Sequence, residues 1–178
     1  DDAMQFADLL LDPNIGGFDS VVRLADCSGT DVLKAVITLF RDKAPEDTVV
    51  LYIAGFMLIE NEELYFAFGD AEIDFLDATA ISAEKILRAM NSTHACTQFI
   101  MLDCPFGVIG KNSATEESIT TRLESVFALP DEASDVTRTV MSAMSDYRAE
   151  LDADDDSKFT FYLADGLRIR QLTRNEQG

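Results

Sequence analysis

An α/β fold is predicted, with a mostly parallel sheet flanked by helices on both faces in three layers and a small β-hairpin. Two apolar runs point to it: residues 49–53, followed by Ala54-Gly55-Phe56, and Phe99-Ile100-Met101-Leu102, which stops at Asp103 with Pro105 and Gly107 just beyond. Runs without a polar face suit strands buried on both sides, as in parallel sheets. The third observation is that amphipathic helical patterns separate such runs, which implies right-handed crossovers between parallel strands. Ligand chemistry in open α/β sheets gathers at the carboxyl ends of the strands, so the residues after the two runs are where a site is expected.

The elements follow in order. Met4, Phe6, Ala7, Leu9, Leu10 and Leu11 recur at helical spacing, ended by Asp12-Pro13-Asn14 and Gly16-Gly17. Residues 18–24 read as a short strand. Ser28 and Thr30 are N-cap candidates for a helix carrying Val32, Leu33, Val36, Ile37 and Phe40, closing before Pro45. Residues 48–54 are the next strand. Met57-Leu58-Ile59 and residues 63–68 flank Glu60-Asn61-Glu62 as a hairpin, with Leu64, Phe66 and Phe68 alternating against Tyr65 and Ala67. Gly69-Asp70 ends it, and an acidic loop runs to Asp77. Ser82 caps a helix of Ile86, Leu87 and Met90, and Asn91-Ser92-Thr93 leads into the strand that stops at Asp103. A polar loop over 111–115 precedes a helix marked by Ile119, Leu123, Val126 and Phe127, and residues 136–144 form one more strand. Residues 150–156 are a solvated acidic loop. Ser157 caps the last helix, with Phe159, Tyr162, Leu163 and Leu167 on one face and Gly166 near its end; the polar tail after Leu172 frays.

A chain of 178 residues, 47% of them apolar, is long enough for one domain with its own core, expected over 1–172 with a tail at 173–178. Lys and Arg number 14 and Asp and Glu 33, a formal charge of −19. That balance repels nucleic-acid phosphates and anionic lipid surfaces, so neither nucleic acid nor a membrane is expected as a partner. A basic peptide, a cationic protein face or a divalent metal is compatible with it, although a highly soluble surface explains it as well. Cys27, Cys96 and Cys104 are too few and too scattered for a disulfide framework or a zinc cluster, which points to a reducing cytoplasm. No apolar run approaches the roughly 20 residues that cross a bilayer, and no signal segment opens the chain. The Phe and Met spacing is that of core packing and implies no cofactor, and no glycine-rich phosphate loop is present.

The order of these segments and several short stretches resemble the caspase-like fold of bacterial caspase and metacaspase-type cysteine peptidases. Tyr52-Ile53-Ala54-Gly55-Phe56-Met57 stands where that family has a strand ending Tyr-x-x-Gly-His-Gly, and Leu102-Asp103-Cys104-Pro105-Phe106-Gly107 where it has Leu-Asp-Cys-Cys-Phe-Ser-Gly. Leu64-Tyr65-Phe66 resembles the family's hairpin and Ala78-Thr79-Ala80-Ile81 its lead into the next helix. Thr139-Val140-Met141-Ser142-Ala143 resembles its later strand, and Ser157-Lys158-Phe159-Thr160-Phe161-Tyr162-Leu163 the helix after that. The likeness covers about residues 2–167.

The catalytic pair departs from the family pattern. Residue by residue, Phe56 stands for the base and Pro105 for the nucleophile, with Cys104 one place early. A phenylalanine ring moves no proton, proline carries no nucleophile, and Pro105 lacks the N–H that could polarise an oxyanion. The resemblance therefore implies a catalytically inactive caspase-like domain, a module of a larger bacterial signalling or defence protein. Its expected partner is a protein or basic peptide, with an active caspase-like protein or a second copy of the chain as further candidates. An unorthodox cysteine peptidase using Cys104 is the alternative, and a receiver-like signalling domain a third. The family's first strand, which lies in the middle of its sheet, has no counterpart in this sequence, so a preceding segment is expected to supply it.

Asp103 resembles the acidic residue that lines a pocket for Arg or Lys in metacaspase-like relatives, with Gly55 and Ser142 as further remnants of that pocket; the plainer reading is a strand-end carboxylate bonded to nearby N–H groups. Cys104 reads as a small buried thiol, because a slip of one residue along a strand reverses the side chain's face. His94, the one histidine, precedes the same strand, on the order of 20 Å from Cys104 at strand rise. Asp152, Asp154 and Asp156 have the spacing of a calcium loop's first ligands, but Ser157 and Leu163 stand where glycine and glutamate are required, which rejects an EF-hand. Weak calcium binding by these acids is suggested by calcium-activated metacaspases, with a solvated loop as the default.

Overall fold

In a computed structural model that describes residues 2–109, 116–129, 135–143 and 158–175, the two apolar runs are neighbouring parallel strands. The strands are β1 (Thr48–Ala54), β2 (Phe56–Glu60), β3 (Glu63–Ala67), β4 (Ile81–Ser82), β5 (Thr97–Asp103), β6 (Phe106–Val108) and β7 (Thr137–Ala143). The helices are α1 (Asp2–Leu11), α2 (Gly29–Phe40), α3 (Leu76–Thr79), α4 (Ala83–Asn91), α5 (Glu116–Phe127) and α6 (Lys158–Asn175). A parallel sheet has the order β1-β5-β7, and a mixed sheet the order β4-β3-β2-β6. This is the expected α/β class with its mostly parallel sheet and its hairpin, β2 against β3.

The chain divides into two compact units, Asp1–Ala25 with Ala153–Gly178, and Asp26–Asp152. In the larger unit the strand period of two selects the core. Val49, Leu51 and Ile53 of β1 and Ile100 and Leu102 of β5 are buried, and they cluster with Val32, Val36 and Phe40 of α2, Ile86 and Met90 of α4, and Ile119, Leu123 and Phe127 of α5. Each such side chain contributes roughly 1.5–3 kcal/mol by leaving water, so this face dominates the stability of the sheet. Ser28 caps α2 as expected, its hydroxyl accepting the Asp31 N–H at 3.1 Å. Ser82 occupies the N-cap position of α4 without a side-chain cap bond. In the smaller unit α1 and α6 pack together, burying Phe6, Ala7, Leu9 and Ala164. Gly16 closes α1, where a Cβ would lie 2.4 Å from the Leu10 carbonyl oxygen, a separation no other residue survives.

Several expectations are corrected. Residues 18–24 form no strand: beyond the Phe18 N–H bond to the Leu10 carbonyl they have no ladder partner among the described residues, and β-propensity without a lateral neighbour does not make a strand. Val22 and Leu24 are left 71% and 43% exposed. The acidic loop to Asp77 contains a 3-10 turn at Ile73–Phe75 and the short α3. The last helix runs on through Gly166 to Asn175, past the expected start of the tail at 173. Residues 111–115, Met144, the 150–156 loop and Ser157 lie outside the described residues.

Candidate functional site at the strand tips

β1 and β5 pass from the parallel sheet into the mixed one together, and the register does not change: Ala54 faces Asp103, and Met57 faces Phe106. The Gly55 N–H donates to the Asp103 carbonyl at 3.3 Å and the Met57 N–H to the Pro105 carbonyl at 2.9 Å. Between those rungs a parallel ladder would place a bond from the amide of residue 105 to the Gly55 carbonyl. Proline has no N–H, so that rung is missing. The first chain bends at Gly55, and β2 and β6 resume the pairing beyond it. Phe56 and Pro105, the positions that the resemblance assigns to base and nucleophile, flank the gap.

Strand alternation decides where each tip side chain points. Gln98, Ile100, Leu102 and Cys104 are buried while Phe99, Met101, Asp103 and Pro105 are part-exposed, so Asp103 leaves the sheet on the face opposite α2, α4 and α5. The Tyr52 hydroxyl, on the same face, donates to Asp103 Oδ2 at 3.3 Å. Ser142 pairs with Leu102 and is exposed on the helix-covered face, so the structure does not bring it beside Asp103. Gly55 sits at the bend, where a Cβ would meet the Ala67 carbonyl oxygen at 3.4 Å. Phe56 is 47% exposed.

Cys104 is fully buried and its thiol lies 3.4 Å from the Ile53 carbonyl oxygen, in the core shared with Leu102 and Phe106. His94 is exposed in the turn before β5, so the whole strand separates it from Cys104. The Cys96 thiol lies 3.8 Å from the His94 carbonyl oxygen.

A second polar group was not foreseen. Tyr65 is buried, with its hydroxyl oxygen 2.6 Å from Glu63 Oε2 and 2.5 Å from Asp77 Oδ1. Those hydrogen bonds, the one to Asp77 foremost, together with burial, hold the phenol well above the usual tyrosine range. Glu63 and Tyr65 share a face by strand period, which the sequence shows; the arrival of Asp77 depends on α3.

No three or more His, Cys, Asp or Glu side chains among the described residues come together as a metal site. Asp152, Asp154 and Asp156 lie outside them. No helix among the described residues is long and apolar enough to cross a membrane. No protein-family model matches the chain, and no curated protein matches it. Chemically, the tips offer a carboxylate held by a phenol and an exposed aromatic ring, groups suited to gripping a cationic or apolar side chain.

Proposed function

We propose that the chain is a caspase-like domain without peptidase chemistry, which recognises a protein or basic peptide at the carboxyl ends of its parallel strands. The observation that carries this reading is the pair of tips itself: Phe56 and Pro105 stand on either side of a broken rung, and the neighbouring thiol of Cys104 is turned into the core against the Ile53 carbonyl. A Cys-His mechanism needs a thiolate and an imidazole in hydrogen-bond reach of one another. Here the one imidazole sits at the far end of β5. Asp103 supplies negative charge for a Lys or Arg side chain, and Phe56 an apolar surface for its stem.

Fluorogenic peptides carrying Arg, Lys or Asp at the scissile position, incubated with the protein with and without calcium, test the proposal. The expected outcome is no turnover above buffer. Turnover that Cys104→Ala abolishes would overturn it. Binding of a short Arg-containing peptide, followed calorimetrically, is expected to weaken about tenfold in Asp103→Asn, the scale of one lost charge pair.

A further inference from the structure

A second surface lies away from the strand tips, on the segment that joins the hairpin to α4. Its 3-10 turn, Ile73–Phe75, directs Ile73 and Phe75 outward at 61% and 62% exposure. Isolated exposed apolar residues are ordinary on a protein surface. These two are held in a fixed arrangement. Leu76 is buried with Tyr65 and Ala80. The Thr79 hydroxyl oxygen accepts the Glu72 N–H at 2.9 Å and lies 2.9 Å from the Phe75 carbonyl oxygen. The Asp70 carboxylate accepts the Gly29 N–H at 2.7 Å. Asp77 meets the Tyr65 hydroxyl at 2.5 Å. The segment is thus anchored on both sides of the pair, so little ordering entropy is left to lose when the two side chains are covered.

The charged residues beside them along the chain have one sign. Asp70, Glu72, Asp74 and Asp77 surround the pair in sequence, and residues 44–84 contain no Lys, Arg or His. A second copy of this acidic chain would bring like charges together. We propose that Ile73 and Phe75 form a preorganised docking knob for a protein face whose apolar recess is ringed by Lys and Arg. The inference is independent of the strand-tip reading.

The probe is a fluorescein-labelled amphipathic helix with a leucine face flanked by lysines, titrated with the full chain and read by fluorescence anisotropy. The double variant Ile73→Ser, Phe75→Ser is expected to bind it at least about tenfold more weakly, the loss of two apolar anchors. Glu72→Lys with Asp74→Lys, which keeps both apolar side chains, is expected to weaken it as well. Val22→Ser, which alters an exposed apolar residue belonging to neither surface, is expected to leave it within about twofold, which separates this surface from general apolar contact. Binding unchanged in the double serine variant would mean attraction by bulk charge and would overturn the proposal, as would an equal loss in Val22→Ser. Self-association of the wild type in sedimentation velocity, lost in the double serine variant, would assign the knob to a second copy and overturn the basic partner. Unchanged far-ultraviolet dichroism is expected of all three variants, since the altered side chains are exposed.

Discussion

At Tyr65 a single hydroxyl proton lies between two carboxylates. Ionising the phenol there would set a third negative charge beside Asp77 and Glu63, so the folded chain holds the proton above the ordinary tyrosine pKa of about 10. The unfolded chain releases it near that value. The stability this contributes is fully present below about pH 10 and is lost as pH rises toward the folded pKa, at about 1.4 kcal/mol per pH unit. Tyr65→Phe is expected to be less stable at neutral pH by about 0.5–1.5 kcal/mol, the net worth of a hydrogen bond whose acceptors, Glu63 and Asp77, are exposed and regain water. Its stability should also fall less steeply than wild type above pH 10; parallel slopes in urea denaturation would refute the assignment. At this scale the sequence shows the parity that puts Glu63 beside Tyr65, and the parity that turns Cys104 away from Asp103. It does not show Asp77 reaching the phenol, because that contact crosses from one element to another.

Among the elements, α2 ends in a way its own residues disfavour. After the cap residue Arg41, Asp42 takes the left-handed conformation at φ 55°. A side chain there costs on the order of 1 kcal/mol, and a carboxylate next to a helix C-terminus opposes the dipole. Glycine is the residue that position favours. Asp42→Gly is therefore expected to raise stability by about 0.5 kcal/mol after its greater unfolded-state freedom is subtracted, read as a higher urea midpoint at unchanged slope. Asp42→Ala relieves the charge and keeps the strain, so it should gain less. The long helices and the long strands were legible because each has a period that burial rewards independently of its neighbours, whereas the four-residue α3 is too short to show one. Residues 18–24 and β6 were not: the first has strand-like residues without a lateral partner, and the second is a strand because the β1–β5 register carries through the bend.

Across the whole of the larger unit, one half-buried guanidinium ties four elements together. Arg138 on β7 donates from Nε to Gln98 Oε1 at 3.0 Å, from Nη1 to the Phe127 carbonyl at 3.3 Å and from Nη2 to Asn91 Oδ1 at 2.8 Å. Gln98, 1% exposed on β5, passes its amide protons to the Met90 and Ala95 carbonyls at 3.3 and 3.2 Å. The ends of α4 and α5 are thereby fixed to β5 and β7. Burial lowers the Arg138 pKa from its ordinary value, and the guanidinium stays charged across the working range of pH. Neither residue signalled this role in the sequence, since a glutamine and an arginine forty positions apart meet through the β5–β7 register that pairs them. Arg138→Met leaves the buried Gln98 oxygen without a donor, an expected loss of about 1–3 kcal/mol. Gln98→Leu deprives two carbonyls of their donor and should cost a similar amount. If the two act as one network, the double variant loses less than the sum of the singles, with a coupling of about 0.5–3 kcal/mol in a double-mutant cycle. Strict additivity would mean that the four elements are held by their apolar faces alone and that Arg138 is incidental to the unit.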